Sequence, residues 1–116
     1  KVEILQIPYP ARLRVDESKL VGYLLSHAKG QRAAAFFLRF GFSPESWLEM
    51  AEALKHQARS NPLASKVDSL HGTRYSVDGM LSTPSGRQPS VRTVWILEID
   101  SDEPRLITAY PIQERS

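Results

Sequence analysis

The stretch VRTVWILEI, from Val91 to Ile99, decides the fold class of this chain. Its branched and aromatic residues are those that pack best on a pleated sheet. The turn sequence Pro-Ser-Gly at 84–86 precedes this strand, and the polar segment 100–104 follows it. Segments with strand character lie beyond both turns, at 73–81 and 105–110. The sequence therefore predicts consecutive antiparallel strands joined as a meander.

Apolar residues recur at helical spacing in the first half of the chain. This spacing predicts helices at 17–26, 31–40 and 44–60. The first helix carries Leu20, Tyr23 and Leu24 on one expected face, and Gly41 stands where a left-handed residue would end the second. The large apolar residues expected in the core are Phe37, Trp47, Leu54 and Trp95.

Helices that precede strands are typical of the α+β class. We therefore expect N-terminal helices packed on a C-terminal antiparallel β-meander of three to four strands. The 116 residues are the usual size of a single domain. Within 1–116, we expect an N-terminal arm or edge strand at 1–15, a helical half at 16–61 and the antiparallel sheet at 70–112.

The composition excludes several classes of site. The chain carries 15 Lys and Arg against 13 Asp and Glu, a formal net charge of +2 that permits binding to a polyanion without requiring it. There is no cysteine, which excludes disulfides, thiol nucleophiles and cysteine-based metal sites. The histidines lack metal-ligand spacing, and no apolar run approaches the roughly 18 residues of a membrane span. We expect no cofactor, no metal and no membrane partner.

A basic segment, residues 26–32, joins the first two predicted helices and contains His27, Lys29 and Arg32. The N-terminus of the helix that follows offers free backbone N–H groups, so such a junction can hold an anion. The same residues also fit a solvated connection between helices that binds nothing. The sequence alone leaves both interpretations open.

Polar residues also stand where strands should present them. His71 and Arg74 open the first predicted strand, although a histidine before a glycine is also common in a plain turn. In the next strand, Arg92 and Thr93 are neighbours and must lie on opposite faces of the sheet. One of them therefore points toward the helices and the other away.

The last predicted strand closes with two hydroxyl-bearing residues, Thr108 and Tyr110. Residues two apart in a strand lie on the same face, so these hydroxyls should be neighbours. The same alternation places Leu106 with them, and Ile107 and Ala109 on the other face. Two hydroxyls on one face indicate either a polar site or a half-buried surface whose hydroxyls are satisfied.

Histidine, arginine, threonine and tyrosine are residue types that can cleave RNA without a metal ion. In that reaction the 2′-hydroxyl attacks its own phosphate, a base takes its proton, and an acid protonates the leaving oxygen. A cation stabilises the charge that develops on the phosphate. These residue types are common, so their presence permits the chemistry without establishing it.

Five stretches of the chain resemble a family of small uncharacterised bacterial domains. They are KLVGYLL at 19–25, AFFLRFGF at 35–42, HGTRY at 71–75, VRTVWI at 91–96 and PRLITAYP at 104–111. Members of this family occur alone beside a small partner gene, or at the C-terminus of large polymorphic toxins. The resemblance extends over nearly the whole chain, from Lys19 to Pro111.

The closing Thr-Ala-Tyr-Pro, residues 108–111, also resembles the last strand of the barnase, EndoU, colicin and RelE-like ribonuclease group. That group has helices followed by a four-stranded antiparallel sheet, and its members cleave RNA without metal. The resemblance implies that the catalytic residues are His71, Arg92, Thr108 and Tyr110. The residues expected to bind the substrate are His27, Lys29, Arg32 and Arg74.

These resemblances imply a metal-independent endoribonuclease toxin that cleaves cellular RNA in the cytoplasm. The domain would be made there or delivered as the C-terminal part of a secreted toxin. Such an enzyme would harm its own cell, so a cognate antitoxin or immunity protein is an expected partner. The alternative is a non-catalytic interaction domain: an antitoxin, an immunity protein or an accessory module of a larger toxin.

Overall fold

The computed structural model describes residues 5–26 and 31–112 of the chain. Its helices precede its strands, which confirms the predicted α+β class. Among these residues the α-helices are α1 (Glu17–Lys19), which continues as a π-helical turn (Leu20–Leu24), α2 (Gln31–Arg39) and α3 (Trp47–Ser60). Single turns of 3-10 helix stand at Pro10–Arg12 and Pro44–Ser46.

The described strands form one sheet. They are β1 (Leu63–Ser69), β2 (Gly72–Met80), β3 (Ser90–Glu98) and β4 (Arg105–Pro111). Their order in the sheet follows their order in the chain, and each neighbouring pair is antiparallel. The predicted meander is thus confirmed, with four strands.

Strand β1 begins at Leu63, whereas the sequence placed the start of the sheet at residue 70. Leu63 is half-buried, and every later residue of the strand is exposed. Side chains on both faces of β1 therefore meet solvent, and no apolar alternation marks the strand in the sequence. The physical signal that revealed the other strands is absent here.

The first helix is shorter and less regular than the predicted 17–26. Its α-helical part covers Glu17–Lys19 and then widens into the π-helical turn. Leu20 and Leu24 are fully buried, whereas Tyr23, expected on the same face, is 39% exposed. A π-helical turn holds more residues than an α-helical turn, so it moves side chains away from the expected face.

Helices α2 and α3 lie close to where the sequence predicts them. Gly41 has a φ of 100°, in the left-handed region that glycine adopts without strain, and it follows α2 as expected. The core lies between the helices and one face of the sheet, which we call the core face. Phe37, Leu54 and Trp95 are fully buried there. Trp47 packs against the core but is only partly buried, because it is the first residue of α3.

A buried polar network joins α3 to the core face of the sheet. The Nε2 of Gln57 donates to the carbonyl oxygens of Val77, at 3.0 Å, and Val91, at 2.9 Å. Its Oε1 accepts from the hydroxyl of Thr93 at 2.8 Å, and that hydroxyl accepts from Nε1 of Trp95 at 2.8 Å. One glutamine therefore fixes the helix against β2 and β3.

Residues of the N-terminal segment contact both edges of the described sheet. The carbonyl of Leu5 accepts from the N–H of Leu63 at 2.8 Å, and Arg14 forms a parallel bridge with Arg105. None of the helices in residues 5–26 and 31–112 has the length and apolar character needed to cross a membrane.

Candidate functional site

The face of the sheet opposite the helices presents polar side chains, and we call it the outer face. Along β3, Val91, Thr93 and Trp95 are buried, while Arg92 and Val94 between them are only partly buried. The strand alternation therefore places Arg92 on the outer face and Thr93 in the core. This resolves the choice that the sequence left open between these two neighbours.

An irregularity in β4 changes which of its residues face outward. Val94 pairs with Thr108, whereas Trp95 pairs with Leu106, so Ile107 is an extra residue in β4. Such a bulge reverses the alternation on its two sides. Leu106 and Ala109 are consequently both buried, and the prediction that Leu106 shares a face with Thr108 is wrong.

Three polar side chains form a row across the outer face. The pairing register aligns Asp78 of β2 with Arg92 of β3, and Arg92 with Tyr110 of β4. The guanidinium donates to both carboxylate oxygens of Asp78, from Nε at 2.6 Å and from Nη2 at 2.8 Å. We call Asp78, Arg92 and Tyr110 the outer row.

The outer row contains a protonated guanidinium that solvent can reach and whose charge is balanced by Asp78. Hydrogen bonding to Asp78, and then to the hydroxyl of Tyr110, raises the pKa of Arg92 further above its already high ordinary value. The Arg92 side chain is 36% exposed and that of Asp78 32% exposed. Asp78 occupies only part of the N–H groups of the guanidinium, and a fork of this kind can also hold an anion.

Thr108 lies beside the outer row. It pairs with Val94, two residues from Arg92 along β3, so its backbone stands about 7 Å from that of Tyr110. The structure therefore brings Arg92, Thr108 and Tyr110 to one face. It adds Asp78, which the sequence reasoning did not name, because only the pairing register of β2 with β3 shows that this carboxylate faces Arg92.

His71 lies at the other end of the sheet. It belongs to the turn between β1 and β2, and its carbonyl accepts from the N–H of Ile99 at 3.3 Å. Gly72, which follows it, is six residues before Asp78 on β2, a distance of about 20 Å along a strand. The structure does not bring His71 to the outer row.

Arg74 shares the outer face but stands apart from the row. It pairs with Val67 and Ile96 and is four residues from Asp78 along β2, about 13 Å. His27 and Lys29 lie outside the described residues. Within the described ranges, no group of three or more His, Asp or Glu side chains is placed to hold a metal ion.

Arg32, on α2, lies away from the outer row and lines a cleft between α2 and the end of β4. The cleft, of about 350 Å³, is lined by Arg32, Ala35, Phe36, Arg39 and Pro111. We call it the α2–β4 cleft. Pro111 directly follows Tyr110 in the chain, so the cleft and the outer row meet at the end of β4.

Residues 6–113 match a family described as "Domain of unknown function (DUF6883)". The chain belongs to the DUF6883 family. This agrees with the predicted likeness to small uncharacterised domains, while the likeness to the ribonuclease group stays a prediction. A comparison with curated proteins gave no significant match.

The DUF6883 chain has the fold of a solved bacterial structure. It is similar to a chain of a contact-dependent growth inhibition toxin–immunity protein complex from Klebsiella pneumoniae 342. The TM-score is 0.72 and the sequence identity 19%, and the likeness covers 91% of the DUF6883 chain and 98% of the other. The common fold extends over the helices and the sheet alike.

Proposed function

We propose that this DUF6883 domain is a toxin-type endoribonuclease that cleaves cellular RNA without a metal ion. The observation that carries the proposal is the outer row, where a partly exposed guanidinium is paired with a carboxylate and lies opposite a tyrosine in the strand register. Thr108 adds a second hydroxyl beside it. The fold likeness to a chain of a toxin–immunity complex supports a toxin-related context.

The proposed chemistry assigns a task to each side chain of this site. Arg92 binds the scissile phosphate and stabilises the charge that develops when the 2′-hydroxyl attacks it. Thr108 donates a hydrogen bond to the same phosphate. Tyr110 donates the proton that the leaving 5′ oxygen needs, and the 2′-hydroxyl proton passes to solvent. His71, at the far end of the sheet, has no part in this scheme.

A cognate immunity protein or antitoxin belongs to the proposal. An endoribonuclease active in the cytoplasm would cleave the RNA of the cell that makes it, so that cell needs an inhibitor. The solved complex that shares this fold contains a toxin together with its immunity protein. We propose the same kind of partnership for this chain, whether it acts where it is made or is delivered as part of a secreted toxin.

A non-catalytic interaction domain, such as an immunity protein, is the second candidate. Asp78 already balances the charge of Arg92, as in an ordinary surface ion pair. The hairpin of β1 and β2 also exposes apolar side chains, with Val67 57% and Leu70 90% exposed. Exposed apolar side chains of this kind are often covered by a protein partner.

Expression in bacteria with and without the adjacent gene, followed by sequencing of RNA ends, separates the two candidates. The first proposal expects growth arrest and new RNA ends that appear only without the neighbour. The Tyr110→Phe variant keeps the ring and removes the hydroxyl, so we expect cleavage to fall about a hundredfold. Purified protein should cleave RNA equally well in EDTA. A folded chain that leaves growth and RNA intact would favour the interaction domain instead.

A further inference from the structure

Another surface cavity in the described part of the chain is lined by cations that are all paired. That cavity, of about 430 Å³, includes Arg12, Arg14 and Lys55 in its lining. Each of the three forms an ion pair, with Asp102 at 2.9 Å, Asp16 at 2.8 Å and Glu52 at 3.3 Å respectively. Its cations are therefore engaged within the protein, and we assign this cavity no ligand.

The α2–β4 cleft differs in its charges. Arg32 and Arg39 are exposed, and within the described part of the chain neither forms an ion pair with an acidic side chain. Phe36 lies between them along α2, and the spacing of residues 32, 36 and 39 places all three on one helix face. The cleft thus combines two available guanidinium groups with an aromatic ring.

This combination fits a nucleotide better than a simple anion. Guanidinium groups hold phosphate oxygens through paired hydrogen bonds, while a base can stack on an aromatic ring. Phe36 is half-buried and held by contacts with two other rings, Phe37 at 5.2 Å and Phe40 at 4.8 Å between centroids. An inorganic phosphate would use the arginines and leave the apolar wall, which includes Ala35 and Pro111, without a role.

The position of the cleft relates it to the proposed cleavage site. Pro111 lines the cleft and follows Tyr110, whose side chain lies on the outer face. β4 is the last strand of the described sheet, so a single-stranded ligand can cross from one face to the other around its end. Nucleotides on either side of the cut bond would then occupy the outer row and the cleft.

We propose that the α2–β4 cleft binds an unpaired nucleotide that flanks the cleaved bond of the RNA. Arg32 and Arg39 contact its phosphates, and Phe36 stacks on its base. The inference rests on the proposed endoribonuclease function and specifies the substrate class as single-stranded RNA, because a base held in a duplex cannot stack on a protein ring.

The test measures binding apart from cleavage. All variants carry Tyr110→Phe, which should slow cleavage about a hundredfold during the measurement. The probe is a fluorescein-labelled oligoribonucleotide of mixed sequence, about 12 nucleotides long. Anisotropy gives the dissociation constant over a series of salt concentrations. Each phosphate contact to a single strand contributes about 0.7 to the slope of log K against log salt.

The double variant Arg32→Ala/Arg39→Ala should make this negative slope shallower by about 1.4, because two phosphate contacts are lost. The variant Phe36→Leu should weaken binding about tenfold with the slope unchanged, because stacking does not release counterions. Arg59→Ala is the matched control, since Arg59 is an exposed arginine on α3 outside the cleft. Circular dichroism checks the fold of each variant.

A slope for the double variant equal to that of the Arg59 control would overturn the inference. So would an unchanged affinity for RNA accompanied by loss of binding to the purified product of the adjacent gene, because the cleft would then serve that partner. Cleavage by the chain without Tyr110→Phe is measured separately. If that chain cleaves RNA and the double variant leaves the salt slope unaltered, only the role of the cleft is refuted. If the chain neither cleaves nor binds RNA, the proposed function is refuted as well.

Discussion

Polar side chains are buried and hydrogen-bonded within the protein on the core face of the sheet, and they are partly exposed on the outer face. Two adjacent residues of β3 show this difference. Thr93 is fully buried, and its hydroxyl is hydrogen-bonded to both Gln57 and Trp95. Arg92, next to it, shares a partly exposed ion pair with Asp78. Among the described residues, no buried side-chain nitrogen or oxygen lacks a hydrogen-bond partner.

This difference separates groups that hold the fold from groups that are available to a ligand. A buried polar atom must have its partner inside the protein, because water cannot replace a lost hydrogen bond there. A partly exposed guanidinium can exchange water for a phosphate at little cost. We therefore expect substitutions on the core face to change stability, and substitutions on the outer face to change function.

The largest effect is expected for Gln57→Ala. The substitution leaves the hydroxyl of Thr93 without its acceptor, removes a donor from two strand carbonyls and opens a cavity. We expect the free energy of unfolding to fall by about 3 kcal/mol or more, measured by urea denaturation. Arg59→Ala, two residues away on the exposed side of α3, should change it by less than about 0.5 kcal/mol. If the two variants lowered the free energy of unfolding equally, the buried hydrogen bonds of Gln57 would not stabilise the fold.

The next prediction sets Arg92→Ala against Thr93→Val. Arg92→Ala should slow RNA cleavage about a hundredfold or more and change the free energy of unfolding by at most about 1 kcal/mol, since its ion pair is partly exposed. Thr93→Val leaves Oε1 of Gln57 and Nε1 of Trp95 without their partner, so it should cost about 2 kcal/mol of stability. Its cleavage rate per folded molecule should be unchanged.

Each of these two variants is the control for the other. Cleavage rates come from single-turnover assays, and stabilities from urea denaturation on the same preparations. A folded Arg92→Ala protein with full activity would remove the outer row from the proposed mechanism. A Thr93→Val protein that is fully stable but inactive would indicate that the active site lies on the core face and not on the outer face.

The smallest effect is expected for Asp78→Asn, which tests a positioning role. Loss of the carboxylate weakens the fork that orients Arg92, so single-turnover cleavage should fall about tenfold. Removal of a negative charge from the outer face should at the same time tighten RNA binding slightly. Cleavage and affinity that fall together would instead indicate a general disturbance of the sheet.

The sequence predicted what depends on local pattern. The branched and aromatic residues of Val91 to Ile99 predicted β3, and helical spacing predicted α2 and α3. Alternation also showed that Arg92 and Thr93 lie on opposite faces. It failed in β1, whose exposed residues carry no pattern, and in the π-helical turn after α1, where the period itself changes.

The sequence by itself thus determined the α+β class, the order of the elements and the residues that carry the resemblance to toxin domains. Only the tertiary structure decided which face each polar residue of the sheet occupies. The bulge at Ile107 reverses the alternation in β4, and the register aligns Asp78 with Arg92. The length of β2 separates His71 from Tyr110. These outcomes depend on pairing between strands distant in sequence, and the periodicity of a single strand does not contain that information.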